Sequence, residues 1–232
     1  DNRDGVWYSE GPITLQTLST PKPTTFQHYL VQDRSEGHDP DDKASLAHYG
    51  TPRRQTQVRG YKLYWHRGED PPIKATAKER QHESQLTRVI PLKPGVRFQG
   101  RVRFENLRPE ELGALLWALR LPAEGEHYHK LGMGKPLGMG AIALMPRLCL
   151  IDREQRYRQL FDNDGWMEAA TPAEMQPYLQ AFELFVVEGL GHDPAVQPFA
   201  GLRRIQMLLT MLRWQEGDNR WLGQTRYMEI EH

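Results

Sequence analysis

From His127 to Ile142 the chain reads HYHKLGMGKPLGMGAI, with Gly132, Gly134, Gly138 and Gly140 inside nine residues and Lys130 and Lys135 beside or among them. Glycine has no Cβ, so it takes positive φ without strain and leaves its N–H open; next to ammonium groups such a loop suits an anion. Two anion motifs fail on residue type and context. A Walker loop needs Ser or Thr after its lysine to hold magnesium, and Lys135 is followed by Pro136. A dinucleotide fingerprint needs a third glycine and then a helix, and here Leu137 takes that place before a strand-like run. A main chain that turns sharply and lies against a phosphodiester backbone remains, giving affinity without reading bases. The competing reading is that Gly134 and Gly138 serve only close packing of helix on sheet.

Two other groups of residues bear on chemistry. Residues 51–67, TPRRQTQVRGYKLYWHR, carry Arg53, Arg54, Arg59, Lys62 and Arg67 and no acid. Cations interleaved with Tyr61, Tyr64, Trp65 and His66 could meet phosphates while rings stack on bases. Strand alternation puts Tyr61, Leu63 and Trp65 on one face, so Trp65 is assigned to the core and Arg59, Lys62 and Arg67 to RNA. His127 and His129 flank Tyr128; they are either an acid–base pair for metal-independent RNA cleavage or polar surface. As zinc ligands they lack a third and fourth partner at a recognisable spacing.

Bulk properties narrow the class. The formal net charge of zero over 232 residues hides a basic middle. Residues 51–150 hold 18 Lys and Arg against 9 Asp and Glu, and the remainder 12 against 21. That asymmetry fits either a surface turned to a polyanion or ordinary solvated faces. The single cysteine, Cys149, excludes an internal disulfide and argues against a cysteine zinc cluster, so a reducing, cytoplasmic setting is expected. No apolar run approaches the roughly 20 residues of a membrane span, and a signal-peptide pattern is missing at the N-terminus. No cofactor, metal or membrane association is expected. The start at Asp1 and the strand-like ending YMEIEH suggest a piece of a longer polypeptide.

Several elements must position these groups. ITLQTL and TFQHYLVQ read as two short strands about the proline-stiffened STPKPT. The acidic DRSEGHDPDD, residues 33–42, reads as a mobile loop, and YKLYWH as a strand. Residues 33–58 and 68–87 read as loop or hairpin insertions. VRFQGRVRF alternates Val96, Phe98, Val102 and Phe104 against Arg97, Arg101 and Arg103, the period of a half-buried strand that sends Phe98, Val102 and Phe104 to the core. Arg101 and Arg103 line a groove or are solvated. Pro109 sits at a first helical position, Glu110 and Glu111 favour the helix dipole, and Leu112, Leu115, Leu116 and Leu119 form an apolar stripe. AIALMPRLCLI reads as a strand bent at Pro146, and YRQLFDNDGWMEA as a hairpin. Thr171 and Glu174 suggest a capping box before a helix carrying Leu179, Phe182, Phe185 and Val186. A last helix carries Leu202, Ile205, Leu208, Leu209 and Leu212. Strand, helix, glycine loop and strand make a split βαβ order, hence an α+β, ferredoxin-like fold with insertions and a helical C-terminal part, in one domain over residues 1–232.

RGYKLYWH, then FQGRVRFENLRPEELGALLWAL, then HKLGMGKPLGMG together resemble the RAMP superfamily of CRISPR-associated proteins, and more specifically the backbone subunits of type III effector complexes. TLQTLSTPKPTTFQHYL and TRYMEIE extend the likeness over most of the chain. The resemblance implies an RRM-like RAMP domain that stacks with other RAMP subunits along a CRISPR guide RNA and presents it to target RNA. It implies RNA contacts from Lys130, Gly132, Met133, Gly134, Lys135, Pro136, Gly138 and Gly140, with the basic stretch of Arg53, Arg54, Arg59, Lys62 and Arg67 adding to them. Members generally carry a target-cleaving aspartate in an N-terminal loop. Asp33, Asp39, Asp41 and Asp42 lie in a loop, but nothing marks any of them, so no catalytic residue is assigned. A guide-processing, metal-independent endoribonuclease that uses His127 and His129 is the alternative.

Overall fold

The computed structural model describes residues 3–7, 11–18, 24, 26–39, 41–52, 56–60, 63–123, 125–158 and 170–214. They belong to two compact units, one of residues 12–64 and 74–89, the other of residues 1–11, 65–73 and 90–232. The architecture is α+β, with short antiparallel strand pairs and helices.

In the smaller unit, β1 (Ile13–Thr14) pairs antiparallel with β2 (Arg88–Val89), Ile13 opposite Val89. Leu15 extends the pairing by donating its N–H to the Thr87 carbonyl at 3.0 Å, and its side chain is fully buried. Ile13, Leu30, Leu46 and Ala47 are buried in the same unit. The strand expected over TFQHYL does not form: Phe26–His28 make a 3-10 turn, and the N–H groups of Tyr29 and Leu30 both return to the Phe26 carbonyl at 2.9 Å. Leu30 then bridges Val58.

The acidic stretch, read from composition as mobile, carries its own turn chemistry. Asp33 accepts from the Ser35 N–H at 2.8 Å, Asp39 from the Asp41 N–H at 3.0 Å and Asp42 from the Ala44 N–H at 3.0 Å. A short carboxylate that bonds the main chain two residues on substitutes for a backbone turn, so a segment too polar for a core is still locally organised. The Gln32 amide closes the loop on Ala47, donating to its carbonyl at 3.0 Å and accepting from its N–H at 2.8 Å.

In the larger unit, α1 (Arg3–Val6) leads into a bridge between Trp7 and Leu92. The helix α2 (Pro109–Leu119) starts as its sequence requires. Pro109 has no N–H to lose, and the Glu111 carboxylate reaches back to accept from the Arg108 N–H at 2.9 Å and its guanidinium at 3.0 Å. Leu112 and Leu116 are buried, and Leu115 and Leu119 half-buried, which is the expected stripe. After it come β3 (His129–Lys130), paired antiparallel with β4 (Ala141–Ile142), then β5 (Cys149–Ile151), α3 (Arg153–Arg158) and β6 (Ala170–Pro172), which pairs with β5. The helices α4 (Gln176–Gly189) and α5 (Arg203–Leu212) complete the unit.

Leu112, Leu116, Leu148 and Leu179 form one buried cluster, with Phe104, Trp117 and Tyr178 packed on it. Val187, Phe199 and Leu202 form another, joined by Trp117, Phe182 and Ile205. Gly113 sets how close α2 and α4 come, because a Cβ there would lie 1.9 Å from the Tyr178 carbonyl oxygen and 2.7 Å from Phe182 Cβ.

Five expectations are corrected. Residues 96–104 join no strand pair among the described residues, and Phe98 and Val102 are 76% and 59% exposed. Alternation assigns two faces to a strand, but a face is covered only where neighbouring elements take it up; Phe104 meets that condition beside α2, and the other two do not. The run AIALMPRLCLI divides into β4 and β5 with Pro146 between them, as a residue lacking an N–H requires. Thr171 is held extended opposite Leu150, so α4 begins at Gln176, past the expected capping box. Tyr157 and Arg158 end α3 instead of starting a hairpin, whose remaining residues lie outside those described. Leu63 to His66 form no strand, and Tyr61 and Lys62 also lie outside them. Among the described residues no helix is long and apolar enough to cross a membrane.

Candidate nucleic-acid interface

The glycine-rich segment is the connection of the β3–β4 hairpin. His129 lies opposite Ile142 and Lys130 opposite Ala141, and the Leu131 N–H donates to the Gly140 carbonyl at 2.8 Å. Gly132, Gly134, Gly138 and Gly140 have φ of 88°, 71°, 99° and 75°, all left-handed. Gly134 and Gly138 bracket a 3-10 turn, Lys135–Leu137, whose Leu137 side chain is wholly buried and anchors the loop. Pro136 fits that turn because its φ is already near the required value.

Close packing accounts for three of these glycines. A Cβ on Gly140 would meet the Leu131 carbonyl oxygen at 1.9 Å, one on Gly134 the Met139 sulfur at 2.5 Å, and one on Gly138 the Arg67 Cβ at 2.8 Å. Gly132 has open space where its Cβ would be, and Met133 beside it is 64% exposed. The tip holds a short run of open donors: the N–H groups of Gly132, Met133 and Gly134 meet no acceptor among the described residues, while Met133 and Gly134 form the turn that leads into Lys135. Successive main-chain donors around left-handed residues form a concavity suited to an anion.

The cations are arranged around and under this tip. The Lys135 ammonium donates to the Gly132 carbonyl at 2.9 Å. Lys130 is half-buried and donates to the Gly138 carbonyl at 3.0 Å and the Met139 carbonyl at 3.4 Å, so it braces the loop from within. Burial, and then the positive charge of Arg67, bring its pKa down to about 8. Arg67 is only 7% exposed, and burial lowers its pKa as well. The structure thus places Arg67 beneath the hairpin, where its stem packs on Gly138 and its charge reaches Lys130.

The other expected contacts divide. Arg59 lies in the smaller unit, exposed, with its guanidinium donating to the Gln27 carbonyl at 3.2 Å. Arg53, Arg54 and Lys62 are outside the described residues. Arg97, Arg101 and Arg103 are exposed in the larger unit.

The histidine pair beside the loop is tied to main chain. A ring nitrogen of His127 bonds the Pro122 carbonyl at 2.8 Å and one of His129 the Leu119 carbonyl at 3.3 Å, so both secure the end of α2. The Tyr128 N–H donates to the Leu212 carbonyl at 2.9 Å and the Trp214 N–H to the Glu126 carbonyl at 2.7 Å, fastening the hairpin's entry to the end of α5.

One of the rings read as able to stack on bases is buried here. His66 is fully buried, with Nε2 donating to the Tyr128 carbonyl at 2.9 Å and its ring 6.2 Å from that of Tyr128 and 5.5 Å from that of Trp214. Burial first, opposed by the Tyr128 bond and assisted by Lys130 and His129, takes its pKa to about 4, so the ring is neutral. No local pattern pairs His66 with Tyr128; their association follows only from the hairpin's docking. The chain matches no protein-family model and no curated protein.

Proposed function

We propose that this chain is an RNA-binding backbone subunit, or a domain of one, in a type III CRISPR ribonucleoprotein, working in the cytoplasm. The β3–β4 hairpin holds guide RNA by its sugar–phosphate chain, and sequence choice is left to pairing between the guide and target RNA. The observation that carries this is the run of N–H donors from Gly132 to Gly134 with no acceptor among the described residues, set beside Lys135 and above the like charges of Lys130 and Arg67. A phosphate at the tip satisfies those donors and offsets the gathered positive charge. The likeness of HKLGMGKPLGMG and its flanking segments to RAMP proteins supports the guide RNA as the polyanion, other RAMP subunits as neighbours, and a ferredoxin-like arrangement as the parent fold. No residue is assigned a catalytic role.

The test is binding of the full chain to single-stranded RNA, followed by fluorescence anisotropy from about 50 to about 300 mM salt. The logarithm of affinity falls with the logarithm of salt by about 0.7 per phosphate contacted. Lys135→Ala lowers that slope by about one contact and leaves sequence preference unchanged. A binding constant flat across the salt range ends the reading.

A further inference from the structure

Where the end of α2 approaches α4, the larger unit has a half-open cavity of about 200 Å³ whose lining includes Trp117, Arg120, Leu121, Gln176, Leu179 and Glu183. Gly113 draws the two helices together one turn before Trp117. The indole is fixed by its neighbours, with Phe199 edge-on at 5.4 Å and Phe182 tilted at 6.2 Å. Aromatic and aliphatic walls come from Trp117, Leu121 and Leu179, and polar groups from Arg120, Gln176 and Glu183. Glu183 is half-buried, its pKa is raised by burial, and no donor bonds it among the described residues. Arg120 lines the same cavity without forming an ion pair with it among those residues.

A carboxylate placed against apolar walls without a donor is costly, and a ligand that brings donors removes the cost. The volume lies below the roughly 300 Å³ at which sites for drug-sized molecules begin, so it takes one ring system and not a whole dinucleotide. A flat ring suits the indole wall. An ionised carboxylate only accepts, and bonds best to two parallel donors. Among the bases guanine offers that pair, N1–H and N2–H, on one edge. Arg120, exposed at the margin, is suited to a phosphate attached to the same ligand.

We propose that this cavity binds the guanine of a nucleotide, with Trp117 against the ring, Glu183 accepting from the N1–H and N2–H edge, and Arg120 on the phosphate. The guanine is either that of a free mononucleotide or one carried in an RNA strand; only the second source rests on the RNA-binding reading above.

The experiment titrates the full chain calorimetrically with 5′-GMP, with 5′-AMP and with guanosine. In parallel, anisotropy compares a uridine oligoribonucleotide containing one guanosine with its all-uridine counterpart. Glu183→Gln keeps the shape and removes the charge; Arg120→Ala changes an exposed side chain and serves as the second variant. Thermal melts confirm that both variants fold. A free-nucleotide site gives saturable GMP binding at least about tenfold tighter than AMP, a margin lost in Glu183→Gln, while Arg120→Ala weakens GMP more than guanosine. A site for a guanosine within RNA gives instead a Glu183-dependent preference for the guanosine oligonucleotide. No guanine preference in either arm, or a preference untouched by Glu183→Gln, overturns the proposal. Failure of both oligonucleotides to bind counts against the RNA-binding reading alone, and the GMP arm then decides the cavity.

Discussion

Gly138 rests directly on Arg67: a methyl group on the glycine would lie 2.8 Å from Arg67 Cβ and 3.0 Å from Pro71 Cβ. Gly138→Ala therefore combines a left-handed φ of 99° with an overlap the floor must absorb. A loss of about 2 to 4 kcal/mol in urea unfolding is expected. Gly132→Ala shares the φ problem but meets open space, so it costs about 1 to 2 kcal/mol and shows mainly as weaker RNA binding. Equal losses of stability at the two positions would contradict the packing described for this hairpin.

Gly113 inverts the usual rule for a helix interior. Alanine normally stabilises such a position by about 0.5 to 1 kcal/mol. Here its methyl would meet the Tyr178 carbonyl at 1.9 Å, so α2 and α4 must separate. Gly113→Ala is expected to lower the melting temperature by an amount matching about 2 kcal/mol or more. A melting temperature raised by the substitution would show that the helices do not cross as closely as described.

His66 ties stability to mild acid. Its pKa falls from an ordinary 6.5 to about 4 on folding, so between those values the unfolded chain binds more protons than the native one. Stability from this group is complete above about pH 6.5 and is lost as pH drops toward 4, to a total on the order of 3 kcal/mol. Chemical denaturation at a series of pH values reads the loss. His66→Gln retains a donor for the Tyr128 carbonyl and flattens that part of the profile, and a slope unchanged in the variant would assign the titration to other groups.

Lys130 adds a dependence on the alkaline side. With a native pKa of about 8 against an ordinary 10.5, the unfolded chain binds more protons between these values, so stability rises with pH across that window. RNA affinity moves the other way, because the ammonium near the hairpin is neutralised above about pH 8. Anisotropy with an oligoadenylate at pH 7 and pH 9 should show a salt slope smaller at pH 9 by up to about 0.7, and Lys130→Met should remove the difference.

Helix α2 was legible because every local signal agreed: Pro109 at the start, acids in the first turn, and leucines at helical spacing. The hairpin was legible for a related reason, since closely spaced glycines in this setting are hard to place except in a turn. Its consequences were less so. Whether a glycine serves the solvent side, as Gly132 does, or a packed floor, as Gly138 does, depends on Arg67 and Pro71, more than sixty residues away in the chain. Phe98 and Val102 misled because alternation reports a tendency to be covered, and the covering element is a matter of tertiary structure. Thr171 misled because strand pairing with Leu150 outcompeted its cap. The cavity beside Glu183 was invisible, because one helical turn of α4 carries no hint that Trp117 will face it.

The ladder that joins Cys149 to Pro172, Leu150 to Thr171 and Ile151 to Ala170 bears on what a change of chain length would cost. It brings the two ends of the interval 152–169 to within a single strand spacing, about 4.8 Å. Lengthening a closed interval is cheap, about 0.6 kcal/mol for each doubling. A change in the number of residues between Ile151 and Ala170 accordingly costs little chain entropy, while the ladder keeps the leucine cluster behind it in register.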